Sequence, residues 1–245
     1  MSGGIFVKRY DDPARCAAAA AHHAWLTSLN AGVRLPRLLT SDAQRLIFER
    51  LPGHTPAVTD LPRIAAALGR LHAAAHDRDL HAARLQQPHT TTIGLVIPDF
   101  ADPRRAALHR AAAIAGIDAA ALDALLDRPG LPAAFYKDPN VRNYLVDGED
   151  VAVVDFDDLT LAPFGYDLAG LLVTAAMTYG RLDEQTLARC VDAYQTAVAP
   201  QQCRPADLHQ FAELHHLLTL RYLGRNGYRH PWPTVRPWPD PFPPS

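Results

Sequence analysis

The stretch from Phe135 to Leu168, FYKDPNVRNYLVDGEDVAVVDFDDLTLAPFGYDL, decides how the rest of this chain is read. Ala133 to Lys137 and Val151 to Phe156 are short apolar runs of the kind that form buried strands. Between Tyr144-Leu145-Val146 and Val151, the pair Asp147-Gly148 is a strong tight-hairpin signal, because such a turn needs residues that accept positive φ. Such a hairpin holds two polar clusters together. Asp138 leaves the first strand and Asn143 follows five positions later, a loop length that aims both side chains into one cleft. Asp155 stands at the end of an apolar strand, and Asp157, two residues on, falls on the same side. Carboxylate and amide oxygens in this order suit a magnesium ion bridging phosphates.

The ordered set, more than any single piece, carries a resemblance. Tyr136-Lys137-Asp138 with Asn143, then Val153-Val154-Asp155-Phe156, then Tyr166-Asp167-Leu168-Ala169 resembles the aminoglycoside phosphotransferase and choline kinase-like family. Lys8, Glu49 and Ala67-Leu68-Gly69-Arg70-Leu71-His72 extend the likeness, which covers Ile5 to Met177. It implies a two-lobed, protein kinase-like α+β fold, with a reduced N-terminal antiparallel sheet over residues 1–51 on the nucleotide side. Residues 52–230 would form a mostly helical C-terminal lobe carrying the catalytic loop and the acceptor-binding helices, and residues 231–245 a proline-rich tail.

The resemblance also implies roles. Asp138 would orient and deprotonate an acceptor hydroxyl, and Asn143 and Asp155 would hold Mg2+, with Asp157 as a helper. Lys8 would meet the α and β phosphates of ATP or GTP, and Glu49 and Leu51 would lie where the third strand runs into the hinge that meets the base. Where the family has His-Gly, this chain has Tyr136-Lys137. Lys137 either pairs with Asp138 or stabilises the transferred phosphoryl group, with a solvated strand-end lysine as the bland alternative; Arg142 has the same two readings. Asp167, at a helix start, is a cap or a brace for the loop. The implied function is transfer of a γ-phosphate to a hydroxyl of an antibiotic-like or sugar-bearing small molecule. The alternatives are a catalytically silent nucleotide-binding module and a protein-interaction domain using the open cleft.

Two departures bear on that reading. Between Pro13 and Ser41 there is no Asp or Glu, and Ala17 to Ala21 fill the helix face where the family's carboxylate partner for the lysine stands. Lys8 is therefore expected to be mobile until phosphates arrive. Only seven residues precede Lys8, whereas a phosphate-covering hairpin takes two strands of about five residues each plus a turn. A missing hairpin implies a start placed too far downstream, an N-terminally trimmed member with an open nucleotide site, or lost transfer.

Elsewhere, Gly4 to Tyr10 reads as a strand, Asp12 and Pro13 as the start of a helix that Gly32 ends, and Val33 to Leu39 and Arg45 to Leu51 as two more strands. A helix from Thr59 or Asp60 to His76 follows, then a polar connection from Arg78 to Phe100. Further helices are expected over Pro103 to Ala115, Asp118 to Leu126, Tyr166 to Thr178, Asp183 to Val198 and Ala206 to Leu223. His72 and His76 have the spacing of a metal pair, but no third ligand is evident. From Gly180 onward there are six acids against seven arginines, a balance that argues for an acceptor less basic than an aminoglycoside. Seven prolines after His230 predict an extended or disordered end without helix, with Trp232, Trp238 and Phe242 favouring docking.

The net charge of −2 and pI near 6.6 give no drive toward nucleic acid or an anionic membrane. No apolar run reaches the roughly 18 residues of a membrane span, no signal peptide is visible, and three scattered cysteines fit reduced thiols. A cytoplasmic location is the expectation.

Overall fold

The computed structural model describes residues 4–128, 130–198 and 205–239. Strand β1 (Ile5–Arg9), helix α1 (Pro13–Ser28), β2 (Leu38–Ser41) and β3 (Arg45–Glu49) come first. The strands pair antiparallel in the order β1-β3-β2, and the register sets Lys8 opposite Leu46. Leu46 and Phe48 alternate inward along β3, as the two-residue period of a strand requires, and α1 covers that face with Cys16, Ala19, Trp25 and Leu26. Asp12 caps α1 by accepting from the Ala14 N–H at 2.8 Å. The helix stops at Ser28, short of Gly32. Leu29 and Asn30 bond back three residues, to Leu26 and Thr27, and Asn30 takes the left-handed turn at φ 52° that was expected of a glycine. The strand expected from Val33 begins only at Leu38. Pro36 has no N–H for a ladder, and Arg34 instead forms an isolated bridge to Ala152.

Helix α2 (Leu61–Arg78) is the central element, burying Leu61, Ile64, Leu68, Leu71 and Ala75 at helical spacing. The connection after it is not structureless; it carries a small hairpin, β4 (His89–Thr90) with β5 (Val96–Ile97). Helices α3 (Asp102–Ala115) and α4 (Ala119–Leu126) lead to β6 (Ala133–Tyr136), β7 (Tyr144–Asp147), β8 (Asp150–Val153) and β9 (Thr160–Pro163). The hairpin is β7-β8, with β6 paired to β9. Its two-residue turn is Gly148-Glu149, one position later than the Asp-Gly signal centred it, and Gly148 supplies φ 59°.

Helices α5 (Tyr166–Tyr179), α6 (Glu184–Val198) and α7 (Pro205–Thr219) pack behind these strands, with Tyr166 to Met177 buried throughout. The tail contains a short helix, α8 (Trp232–Val235), where none was expected. Pro231 and Pro233 sit at its cap and first turn, positions whose N–H would be unbonded in any case. Trp232 is fully buried and donates Nε1–H to Glu213 at 2.7 Å, while Trp238 stacks on His209 at 4.4 Å. Phe242 and the rest of the tail from Asp240 lie outside the described residues.

Candidate active site

The loop after β6 is fixed from several sides. The Lys137 N–H donates to Asp167 Oδ2 at 3.0 Å, so Asp167 is the brace rather than a cap. Asp138 follows with φ 26°, a strained value for a residue with a side chain. Pro139 fills the notch left by Gly170 on α5, and its carbonyl accepts from Thr174 Oγ1 at 3.3 Å. Asn140 donates to Tyr228 Oη at 3.0 Å and caps the next turn by accepting from the Arg142 N–H. Asn143 Nδ2 then closes the loop on Asp138, at 2.9 Å to the carbonyl and 3.2 Å to Oδ2. Burial pushes the Asp138 carboxyl above its ordinary value, against the charge of Lys137 and the hydrogen bond from Asn143.

The second cluster forms where β8 runs out. The Val154 N–H bonds the Asn143 carbonyl at 2.9 Å, tying the two clusters through backbone, and Asp155 adopts φ 69°. Lys8 reaches across from β1 to bond Asp155 Oδ1 at 2.5 Å and Asp157 Oδ1 at 2.7 Å. The expectation that Lys8 is mobile in the empty protein is therefore wrong. No helix carboxylate is present, but two acids lying 147 and 149 positions away hold the ammonium. Burial opposes the Lys8 charge, yet these two hydrogen bonds outweigh it and keep the pKa above the usual lysine value. Asp155 is likewise held below the usual carboxylate range, burial being overcome by Lys8 and Lys137. Tyr10 Oη also donates to Asp157 Oδ1 at 2.8 Å, and Arg15 stands 3.9 Å from Oδ2.

Helix α1 meets this loop through two histidines that the sequence reading passed over. His22 Nδ1–H donates to the Phe156 carbonyl at 2.8 Å, and His23 sits edge-on between Phe48 and Phe156 while bonding the Pro36 carbonyl at 2.7 Å. Two adjacent histidines in an alanine-rich helix were the available signal.

Lys137 is not a solvated strand-end residue. It is 2% exposed, its ammonium donates to the Val154 carbonyl at 2.8 Å and lies 5.4 Å from the Phe156 ring centre, and burial lowers its pKa to about 8. It therefore bridges the backs of the two loops.

A cleft of about 570 Å³ runs between the sheet and the β7-β8 hairpin. Phe6, Phe48, Leu51, Leu145 and Val154 give it apolar walls, while Lys8, Asn143 and Asp155 line its polar end with Arg142. Glu49 lines the cleft too, but its carboxylate accepts from the Arg37 N–H at 3.0 Å. Gly53, at φ 120°, lets the chain pass the hairpin; a Cβ there would meet the Val146 carbonyl at 2.8 Å.

The donor set fits magnesium. Mg2+ is bound through one or two carboxylates plus phosphate oxygens rather than by an all-protein cage, and among the described residues no group of three His, Cys, Asp or Glu gathers as a cage would. Asp155 Oδ2 has no hydrogen-bond partner among the described residues, and Asn143 spends its Nδ2 on Asp138, leaving its amide oxygen as a donor. His72 and His76 are structural: His72 bonds Tyr194 Oη at 2.7 Å and His76 bonds the Ala133 carbonyl at 3.1 Å. Among the described residues no helix is long and apolar enough to cross a membrane.

Comparison with known proteins gives a family and a fold. The model of the APH phosphotransferase enzyme family matches residues 2–214. No curated protein sequence gives a match. Among solved structures, the macrolide 2'-phosphotransferase MphH from Brachybacterium faecium is 16% identical, with a TM-score of 0.58 over 97% of this chain and 86% of its own. Aminoglycoside phosphotransferase APH(3'')-Id from Streptomyces rimosus, solved with ADP and streptomycin, is 16% identical, with a TM-score of 0.59 over 88% of this chain and 86% of its own. A putative fructosamine-3-kinase from Thermobifida fusca is 22% identical, with a TM-score of 0.57 over 91% and 81%. At such identities the likeness is one of fold: the two-lobed, kinase-like α+β architecture.

Proposed function

We propose, on the premise that the chain belongs to the phosphotransferase enzyme family, that it moves the γ-phosphate of ATP or GTP to a hydroxyl of a small antibiotic-like or sugar-bearing molecule. The observation that carries this reading is that Lys8, Asn143 and Asp155 line the cleft's polar end, with Asp138 bonded to Asn143 behind it and the Val154 N–H tying Asn143 to the stretch that presents Asp155. Phosphoryl transfer is mostly positioning and charge neutralisation, and this arrangement supplies both. Residues 1–51 would face the nucleotide and residues 52–230 the acceptor.

Asp138 accepts the proton of the attacking hydroxyl. Its raised pKa makes the carboxylate a stronger base, and such a group is typically worth 10²–10⁴-fold, about 3–5 kcal/mol of barrier. Asn143 and Asp155 would hold magnesium, which neutralises charge between the phosphates when bound. Lys8 meets the phosphates, Lys137 fixes the spacing of the two loops from behind, and Arg142, which lines the cleft, meets charge on the transferred group. The apolar walls by Phe48, Leu51 and Leu145 suit a flat base.

Small-molecule transfer is supported by relatives whose names give macrolide, streptomycin and fructosamine as their ligands or substrates. A polycationic acceptor is disfavoured because the described acids after Gly180 are largely committed: Asp183 caps α6, Asp207 pairs with Arg128 at 2.8 Å, and Glu213 holds Trp232 and Arg236. Labelled γ-phosphate transfer across a panel of hydroxylated metabolites tests the proposal. Transfer that disappears in Asp138→Ala supports it. Nucleotide binding without transfer to any acceptor points to a silent nucleotide-binding module, and no binding at millimolar ATP points to an interaction domain.

A further inference from the structure

Asp157 was grouped with the metal-binding residues on spacing alone. Its surroundings argue otherwise. Both oxygens are engaged, Oδ1 by Lys8 at 2.7 Å and Tyr10 at 2.8 Å, with Oδ2 3.9 Å from the Arg15 guanidinium. A cation entering there would have to displace an ammonium and a phenol while approaching a second positive side chain. Asp155, by contrast, meets only Lys8 and the Asp157 N–H among the described residues, both through Oδ1. The two acids are thus unequal, although they are two residues apart.

Lys8 is a nucleotide lysine without a carboxylate on α1, whose first turn carries no acid. A lysine that must present its ammonium to phosphates needs a fixed anion beside it, or part of the binding energy goes into ordering a long side chain. Asp155 cannot fill that role throughout a reaction cycle, since a carboxylate taken up with a divalent cation no longer neutralises Lys8. Asp157 can. It is held by Tyr10, two residues from Lys8 on the adjoining stretch of chain, so its carboxylate and Lys8 are fixed to the same segment.

We propose that Asp157 is the positioning residue for Lys8, replacing the carboxylate that α1 lacks, and that it takes no part in holding metal. The inference rests on the kinase reading of the cleft. In the empty protein Lys8 bridges both acids. When nucleotide arrives with its cation, Asp155 turns to the cation and Lys8 to the phosphates, and Asp157 keeps the ammonium in place. One ammonium lies between the two carboxylates, so each acid has a positive partner before nucleotide binds.

The test is ATP affinity, measured calorimetrically on the full chain with magnesium and again in EDTA, for the unchanged protein, Asp157→Asn, Asp155→Asn and Lys8→Ala. A hydrogen bond to a charged group is worth enough that Asp157→Asn should weaken ATP binding about ten-fold in both media, as Lys8→Ala does. The Lys8→Ala, Asp157→Asn double variant should be no weaker than Lys8→Ala alone, because the acid acts through the lysine. Asp155→Asn should lose affinity only with magnesium. Asp157→Glu should restore part of the loss, and matching melting temperatures separate positioning from misfolding. If Asp157→Asn behaves like Asp155→Asn, weak with magnesium and unchanged in EDTA, Asp157 is a metal residue and the proposal is overturned while the kinase reading stands. If the unchanged protein binds no ATP in either medium, the kinase reading falls and the positioning role falls with it.

Discussion

Gly170 sits on α5 against Pro139, in the loop that carries Asp138, and a methyl group there tests whether that loop's position matters for the proposed transfer. A Cβ built at Gly170 would lie 2.4 Å from Pro139 Cγ and 3.2 Å from His215 Cε1. Carbon atoms rest about 3.5–4.0 Å apart, so Pro139 must retreat by about 1 Å. The ring cannot swing away as a flexible side chain would, because it is part of the backbone that leads out of Asp138. Gly→Ala inside a helix normally stabilises by about 1 kcal/mol. Here overpacking of about 1–3 kcal/mol opposes that gain. A displacement of about 1 Å in a reacting group costs about 100-fold in rate. Gly170→Ala should therefore lower kcat about 100-fold, with a small or negative change in melting temperature and ATP affinity largely kept. Gly69→Ala is the control, since its Cβ would meet the Tyr194 carbonyl at 2.8 Å in the α2-α6 contact, remote from Asp138. That variant should lose stability at unchanged kcat once folded. A Gly170→Ala protein with full kcat and a raised melting temperature would refute the argument that Pro139 holds Asp138 in place.

Asp138→Asn should abolish most transfer, a fall of about 10²–10⁴-fold in kcat, yet raise the melting temperature at neutral pH. The sign follows from burial: a folded-state pKa raised above the unfolded value gives stability below the unfolded pKa that is lost as pH climbs through the folded one. A lower melting temperature at pH 7 would contradict it. Lys137 is the opposite case, pushed down to about 8 by burial; its contribution is present above the unfolded pKa and lost as pH falls through about 8. Lys137→Met should therefore gain stability relative to the unchanged protein between about pH 10.5 and 8, and its acid limb of kcat/KM should move upward because Asp138 loses a neighbouring charge. A pH-independent difference in melting temperature would count against the buried ammonium. Trp232→Phe deletes the 2.7 Å bond to Glu213 and should cost about 1–3 kcal/mol in urea unfolding, whereas an undocked tail would show no change.

What could be read from the sequence was what neighbouring residues determine. Asp138 and Asn143 meet because a loop of four intervening residues brings them together, Asp12 caps α1 through its own next turn, and the β7-β8 hairpin forms where glycine permits positive φ. Errors came where a distant element intervened. Val33 to Leu39 has strand composition, yet β3 is paired by β2 only from Leu38 onward. For Lys137 the solvated strand-end alternative stayed open beside the two functional readings, and only its burial against the Val154 carbonyl removes it. The short helix α8 forms in a proline-rich stretch because Glu213, on another helix, receives Trp232.

The partner of Lys8 is the sharpest example. Counting acids along α1 correctly found none, and the conclusion that Lys8 is unheld still failed, because a charged side chain is satisfied by whatever lies beside it in space. Asp155 and Asp157 were both singled out, but as metal groups; what sequence spacing could not show is that β1 lies against the loop where β8 ends. The consequence is mechanical. A lysine held from a helix depends on that helix staying close, whereas a lysine held by Asp157 depends on the same three-residue stretch that presents Asp155. Helix α1 still reaches that stretch, through His22 and the Phe156 carbonyl, so a shift of α1 would act on Lys8 and Asp155 together rather than on the lysine alone.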